Sequence, residues 1–263
     1  MLNVPHFPTQ LHQVAAELIR DYFIQIPYVD TFLVVNSCAR GKAVPESDLD
    51  FAVLVRPDTD PIKIKEIGVN WHKYSSENGI IIQYKNAHPF AQLHLDIIYG
   101  NYIPEPIELG TSPHFFELEI GNQIFYSAPM DKAGPYFIKL QNIYLPYYNE
   151  NLRLERFTMI KRACEYDLKH IPVYMERELY FQAFDILIKA FQKFLQLIFI
   201  ANKKYPIAYN KWIKEQVSDH LQKPELYHKL TRILSVSNIE SNEINEKANL
   251  LYELLNDVSF CPL

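Results

Sequence analysis

The spacing of apolar positions changes character along the chain. Over residues 9–25 they recur at helical intervals, with Leu11, Val14, Ala15, Leu18 and Ile19 on one face. Residues 29–35 and 49–55 are short runs of β-branched, aliphatic and aromatic residues, which predicts two strands. After the second run, Arg56-Pro-Asp-Thr-Asp reads as a turn. Asp60 is then placed to cap a helix whose first residue is Pro61, running to about Ser76 and closed by Asn78-Gly79. Further strands are expected over residues 80–84 and 92–99. Residues 115–120 and 123–126 flank Gly121-Asn122 and read as a hairpin.

Beyond about Tyr147 the pattern is helical throughout. Apolar residues keep that spacing over 152–170, 173–202, 209–221, 224–234 and 241–257, and the last glycine is Gly134. A bundle of about five helices is expected there. The fold class is therefore α+β: a mixed, twisted sheet with helices in a domain over residues 1–145, then an all-α helical bundle domain over 146–263.

Composition narrows the function classes. The chain has 263 residues, 48% hydrophobic and 22% charged, an ordinary globular balance. Aromatics reach 14%, enough to fill a large core and to stack on a planar ligand. The net charge of −5 supplies no general attraction to nucleic acid, which is not an expected partner. Cys38, Cys164 and Cys261 show neither zinc nor disulfide spacing, so a reducing compartment is expected. The N-terminal sequence lacks the basic-then-apolar order of a secretory signal, and the most apolar stretch, residues 194–201, is too short to span a bilayer. A cytoplasmic protein without membrane association is expected.

Against this background Asp48 and Asp50 stand out. They lie two apart at the start of a strand, so both carboxylates leave the same side of it. Two such charges about 4 Å apart repel by roughly 4 kcal/mol at an effective dielectric of 20. A divalent cation offsets that cost, and Mg²⁺ takes oxygen ligands while keeping positions open for phosphate. A nearby Lys or Arg offers the plainer alternative. The polar loop before the pair opens with Asn36-Ser37, whose hydroxyl and backbone N–H groups suit an anion. Arg40 and Lys42 add positive charge there. Asp96, in Leu93-His94-Leu95-Asp96-Ile97-Ile98, is a third acid in an alternating strand, with His94 on its side.

The run N-S-x-A-R-G-x-A-x-x-x-S-D-L-D-F resembles the signature of the DNA polymerase beta-like nucleotidyltransferase superfamily, especially its antibiotic-modifying and minimal types. That signature is a strand, Gly-Ser, about ten residues, Asp-x-Asp on the next strand, and a third carboxylate from a later one. Here Asn36 stands in the glycine position; Asn is the residue best able to replace Gly where φ is positive. Residues 194–217 are similar to a bundle region of the antibiotic-type proteins, through Asn202, Tyr205, Pro206, Lys211 and Trp212.

The resemblance implies an enzyme that transfers a nucleotidyl group from ATP or another NTP. Asp48, Asp50 and Asp96 would be the catalytic and metal-holding residues for two Mg²⁺ ions. Asn36, Ser37, Arg40 and Lys211 would contact the nucleotide. The implied acceptor is a hydroxyl of a small molecule, such as an aminoglycoside-like or lincosamide-like compound. Two other readings stand beside it: adenylylation of a protein partner, as in toxin–antitoxin pairs, and a nucleotide-binding regulatory module without turnover. Neither the acceptor, the base preference nor the oligomeric state is written in the sequence.

Overall fold

A computed structural model describes residues 4–90, 92–98, 100–103 and 115–257. The chain divides into two units, Met1–Pro104 with Glu119–Pro146, and Glu105–Leu118 with Tyr147–Leu263. The fold is α+β; among the described residues the strands lie in the first unit and the second has helices alone.

The first unit is built on four strands: β1 (Val29–Val34), β2 (Leu49–Val55), β3 (Leu93–Ile98) and β4 (Ala128–Pro129), in the order β3-β2-β1-β4. β1 pairs antiparallel with β2 and with β4, whereas β2 and β3 are parallel. Helix α1 (Gln10–Phe23) starts where Thr9 accepts the His12 amide, and α2 (Asn36–Ala39) is a single turn between β1 and β2. The parallel pair is linked by α3 (Pro61–Glu77), capped by Asp60, and α4 (Gly79–Ala87).

Alternation along β2 sorts its side chains. Leu49, Phe51, Val53 and Val55 join the core formed with Ala15, Ile19 and Phe23 of α1, Trp71 of α3 and Tyr84 of α4. Asp50, Ala52 and Leu54 therefore face the other side of the sheet. Phe32 and Val34 of β1 lie in the same core, opposite Val53 and Phe51.

Two strand expectations fail. Residues 80–84 form part of α4: the Asn78 side chain accepts the Ile80 and Ile81 amides, which fixes a helix start, and Ile81 and Tyr84 are buried three apart while Ile82 is exposed. The hairpin is helical too. Residues 116–120 form α5 (Phe116–Ile120), which runs into one wide π turn over Gly121–Phe125. The in–out alternation of a half-buried strand is absent, because Phe116, Glu117, Leu118 and Ile120 are all buried.

After β4, α6 (Pro135–Tyr144) is capped from a distance by Asp30 of β1. Its two carboxylate oxygens accept the Tyr136 and Phe137 amides, each at 3.0 Å. A Cβ on Gly134 would lie 2.4 Å from that carboxylate, so glycine is required there.

The second unit contains α7 (Glu150–Glu176), α8 (Tyr180–Ala201), α9 (Pro224–Ile233) and α10 (Glu243–Leu255). Leu187, Phe194, Leu197 and Ile198 of α8 supply much of its core, with Phe157, Ile160 and Cys164 of α7 and Leu251 of α10. Pro172 lies inside α7; the break between α7 and α8 comes later, where Glu178 takes φ +57° and the Leu179 amide returns to Tyr174. The helix expected over residues 209–221 is reduced to one wide turn, Glu215–His220. Trp212 at φ +60° and the buried Gln216, whose side chain bonds the backbone of Ile207, Ala208 and Lys211, hold the preceding segment in a loop. Among the described residues no helix is long and apolar enough to cross a membrane. Cys261 lies outside the described residues.

Candidate functional site

Asp50 faces the side of the sheet away from the α1–α3–α4 core, and the parallel register sets its neighbours. Asp50 pairs with His94, and Ala52 with Asp96. Partners in register project to the same face, so Asp48, Asp50, His94 and Asp96 share it. Diagonal neighbours on such a face are roughly 7–8 Å apart at their backbones, within reach of bridging groups. β3 is an edge strand, and His94 and Asp96 are exposed, while Asp48 and Asp50 are half-buried.

Asp48 has partners of its own. Its Oδ1 accepts the Gln92 amide at 2.9 Å, and its Oδ2 lies 3.9 Å from His94 Nε2. Among the described residues, no three His, Cys, Asp or Glu side chains already stand close enough to enclose a metal ion. The three aspartates share a face without forming a closed cage.

The loop between β1 and β2 is tightly built. Asn36 takes φ +57°, the left-handed conformation that favours glycine and that Asn tolerates best. The turn of α2 follows, and the Lys42 amide closes on the Ser37 carbonyl at 2.9 Å. Ser37 and Arg40 are half-buried and Lys42 is exposed. Cys38 is buried beneath this turn. Burial, followed by the charge of Asp50, pushes its thiol up to about 12 despite an opposing hydrogen bond with Ser37. The loop and the acidic pair are thus close enough for Asp50 to act on Cys38.

Two residues absent from the sequence reading position the pair. His12 is buried in α1; its Nε2 donates to the Ser47 carbonyl at 3.0 Å, and its Nδ1 accepts from the Thr9 hydroxyl at 2.7 Å. The Tyr84 hydroxyl reaches the same carbonyl at 3.1 Å. Its proton is held more tightly than usual, first by burial and then by the charge of Asp48. Both side chains pin the peptide immediately before Asp48. His12 falls in register with Ala15, Ala16 and Ile19 on the buried stripe of α1, and that spacing was the available signal.

Lys211 belongs to the second unit. Its side chain is exposed, and its backbone carbonyl accepts from Gln216 at 3.0 Å. The candidates on one unit are therefore Asn36, Ser37 and Arg40 on the turn, with Asp48, Asp50 and Asp96 on the sheet.

No family model matches the sequence, and none of the curated proteins does. Among solved structures, the chain is similar to a nucleotidyltransferase-like protein from Exiguobacterium sibiricum 255-15. The likeness has 13% identity and a TM-score of 0.47, covering 94% of this chain and 75% of that one. What the acidic face can do follows from its own residues. Its donors are carboxylate oxygens, the hard ligands that Mg²⁺ prefers, and its exposure leaves room for water and phosphate oxygens.

Proposed function

We propose that the chain is a Mg²⁺-dependent nucleotidyltransferase that moves NMP, AMP from ATP in the first instance, to a hydroxyl of a small molecule. The acceptor we propose is an aminoglycoside-like or lincosamide-like compound. The observation that carries this reading is the placing of Asp48, Asp50 and Asp96 on one sheet face, next to a turn entered through left-handed Asn36.

In this reading the Ser37 hydroxyl and the amides of its turn bind phosphate oxygens, and Arg40 balances their charge. Asp48, Asp50 and Asp96 would hold the cations. Bound Mg²⁺ supplies charge stabilisation for the attacking and leaving oxygens of an in-line displacement. Asp96, the most open of the three acids, is also suited to accept the proton of the acceptor hydroxyl. That hydroxyl attacks the α-phosphorus, its new P–O bond replaces the bond to the β-phosphate oxygen, and pyrophosphate leaves. Fixing nucleotide and acceptor in line provides much of the rate.

A second reading, a nucleotide-binding regulatory module without turnover, is favoured by one observation. Asp48 already engages the Gln92 amide and lies near His94, and among the described residues no three-ligand group is preassembled. Purified protein with labelled ATP, Mg²⁺ and a panel of aminoglycosides and lincosamides separates the two. Pyrophosphate release that depends on one acceptor supports the enzyme. Nucleotide binding without release under any acceptor, cell-lysate protein included, supports the module. Labelling of a lysate protein in place of a small molecule moves the acceptor to a protein partner.

A further inference from the structure

Asp48 immediately precedes β2, and Gln92 immediately precedes β3. The Gln92 amide donates to Asp48 Oδ1 at 2.9 Å, and the Leu49 amide donates back to the Gln92 carbonyl at 3.0 Å. One buried side chain reaches the backbone on both sides of this exchange. The hydroxyl of Tyr84, a residue only 1% exposed, donates to the Ser47 carbonyl at 3.1 Å. Its single proton is shared with the Gln92 carbonyl, 3.4 Å away. The ring is steadied from α1, where His12 stands edge-on to it with centres 5.1 Å apart.

These bonds fix Asp48 at both ends. The Ser47 carbonyl takes His12 and Tyr84, which fills both lone pairs and sets the peptide that enters Asp48. The Gln92 carbonyl takes Leu49 and Tyr84, which sets the residue whose amide holds the carboxylate. With Oδ1 engaged by that amide, Oδ2 is the Asp48 oxygen left for a ligand, 3.9 Å from His94 Nε2. A carboxylate already turned loses less conformational freedom on binding than one free to rotate.

We propose that Tyr84 is a positioning residue for the acidic face: its hydroxyl clamps the starts of β2 and β3 together so that Asp48 presents Oδ2 to a cation. This rests on the reading of that face as a metal–nucleotide site. Tyr84 itself touches neither metal nor nucleotide, and acts through the Ser47 and Gln92 carbonyls. The residues it couples, Asp48 and Gln92, lie 44 apart in the chain, so no turn of the backbone does this locally.

The test measures Mn²⁺ binding by electron paramagnetic resonance, with a non-hydrolysable ATP analogue present, in the full chain, Tyr84→Phe and Ile67→Val. Hydrogen exchange of the Gln92 amide is followed in the metal-free proteins. Tyr84→Phe keeps the ring, and His12 and Leu49 still donate to the two carbonyls, so neither is orphaned and the chain folds. Ile67→Val trims the same core without removing a hydrogen bond and serves as the stability control. Tyr84→Phe should raise the Mn²⁺ Kd by about 3–10-fold and speed Gln92 exchange by a similar factor relative to Ile67→Val. Ile67→Val should keep the parent Kd to within about twofold. An unchanged Kd or unchanged Gln92 exchange in Tyr84→Phe, or equal weakening in Ile67→Val, overturns the positioning role and leaves the site reading standing. Absence of Mn²⁺ binding by the parent chain removes the site reading itself, and this role with it.

Discussion

Asp50 and His94 stand directly opposite each other across the parallel β2–β3 ladder, and this register brings Asp96 to the same face as Asp48 and Asp50. Two segments more than forty residues apart thereby supply one acidic surface. A slip of one residue in β3 would turn Asp96 into the core and Leu95 out to solvent. The Leu93, Leu95 and Ile97 side chains, packed against the α1–α3–α4 core, prevent that slip.

Replacing Asp48 or Asp50 by Asn is expected to lower nucleotidyl transfer by about 100-fold or more. The fold should be kept or made steadier, because like charges at a strand start repel. Pyrophosphate release measured beside thermal unfolding checks both parts. Near-normal turnover in either variant contradicts the assignment of metal ligands.

Asn36 tests the backbone of the turn. Since its φ is +57°, Asn36→Ala should cost about 1 kcal/mol in urea unfolding, whereas Asn36→Gly should retain stability to within a few tenths. Activity of Asn36→Gly should be unchanged or higher. A sharp loss would assign the Asn side chain a direct part in binding.

How far these features could be read from the chain depended on which signal was local. α1, β1, β2 and α3 announce themselves through periodicity and through Thr9, Asp60 and Pro61, whose capping effects act within a turn. The acidic trio was legible because strand alternation fixes which side chains share a face. Residues 80–84 misled because a short run of Ile satisfies strand and helix alike, and the Asn78 cap decides between them. Residues 116–120 misled for a different reason. Glu117 is buried by Arg156, Tyr148 and Gln196, partners distant in sequence that no local pattern announces. His12 and Tyr84 were invisible as positioning groups because their common target is a backbone carbonyl, which leaves no side-chain motif.

The Glu117–Arg156 pair yields a stability prediction. Arg156→Met removes one member of a buried pair and leaves a desolvated carboxylate, so urea unfolding should show a loss of about 3–5 kcal/mol. A loss below about 1 kcal/mol would mean that the carboxylate finds another route to neutrality.

Stability should also change with pH through Glu150. Hydrogen bonds from Arg153, and next from Lys203, lower its carboxyl from the ordinary 4.5 to about 2. A carboxyl depressed on folding contributes stability that is present above its unfolded value and lost as pH falls through the folded one. The Tm gap between the parent chain and Glu150→Gln should therefore be complete at pH 6 and close progressively from about pH 4.5 down to pH 2. A gap that stays constant over that range contradicts the assignment. High salt should narrow it, because Glu150 and Lys203 are exposed.

The central claim is that the carboxylates of β2 and β3 bind a metal–nucleotide complex beside the Asn36–Ser37 turn. A crystal structure of the protein soaked with Mg²⁺ and a non-hydrolysable NTP tests it most directly. The account predicts metal density against Asp48 and Asp50, with the triphosphate over Ser37 and Asp96 facing the α-phosphate. Nucleotide bound elsewhere, or bound there with no ion touching Asp48 or Asp50, would contradict it.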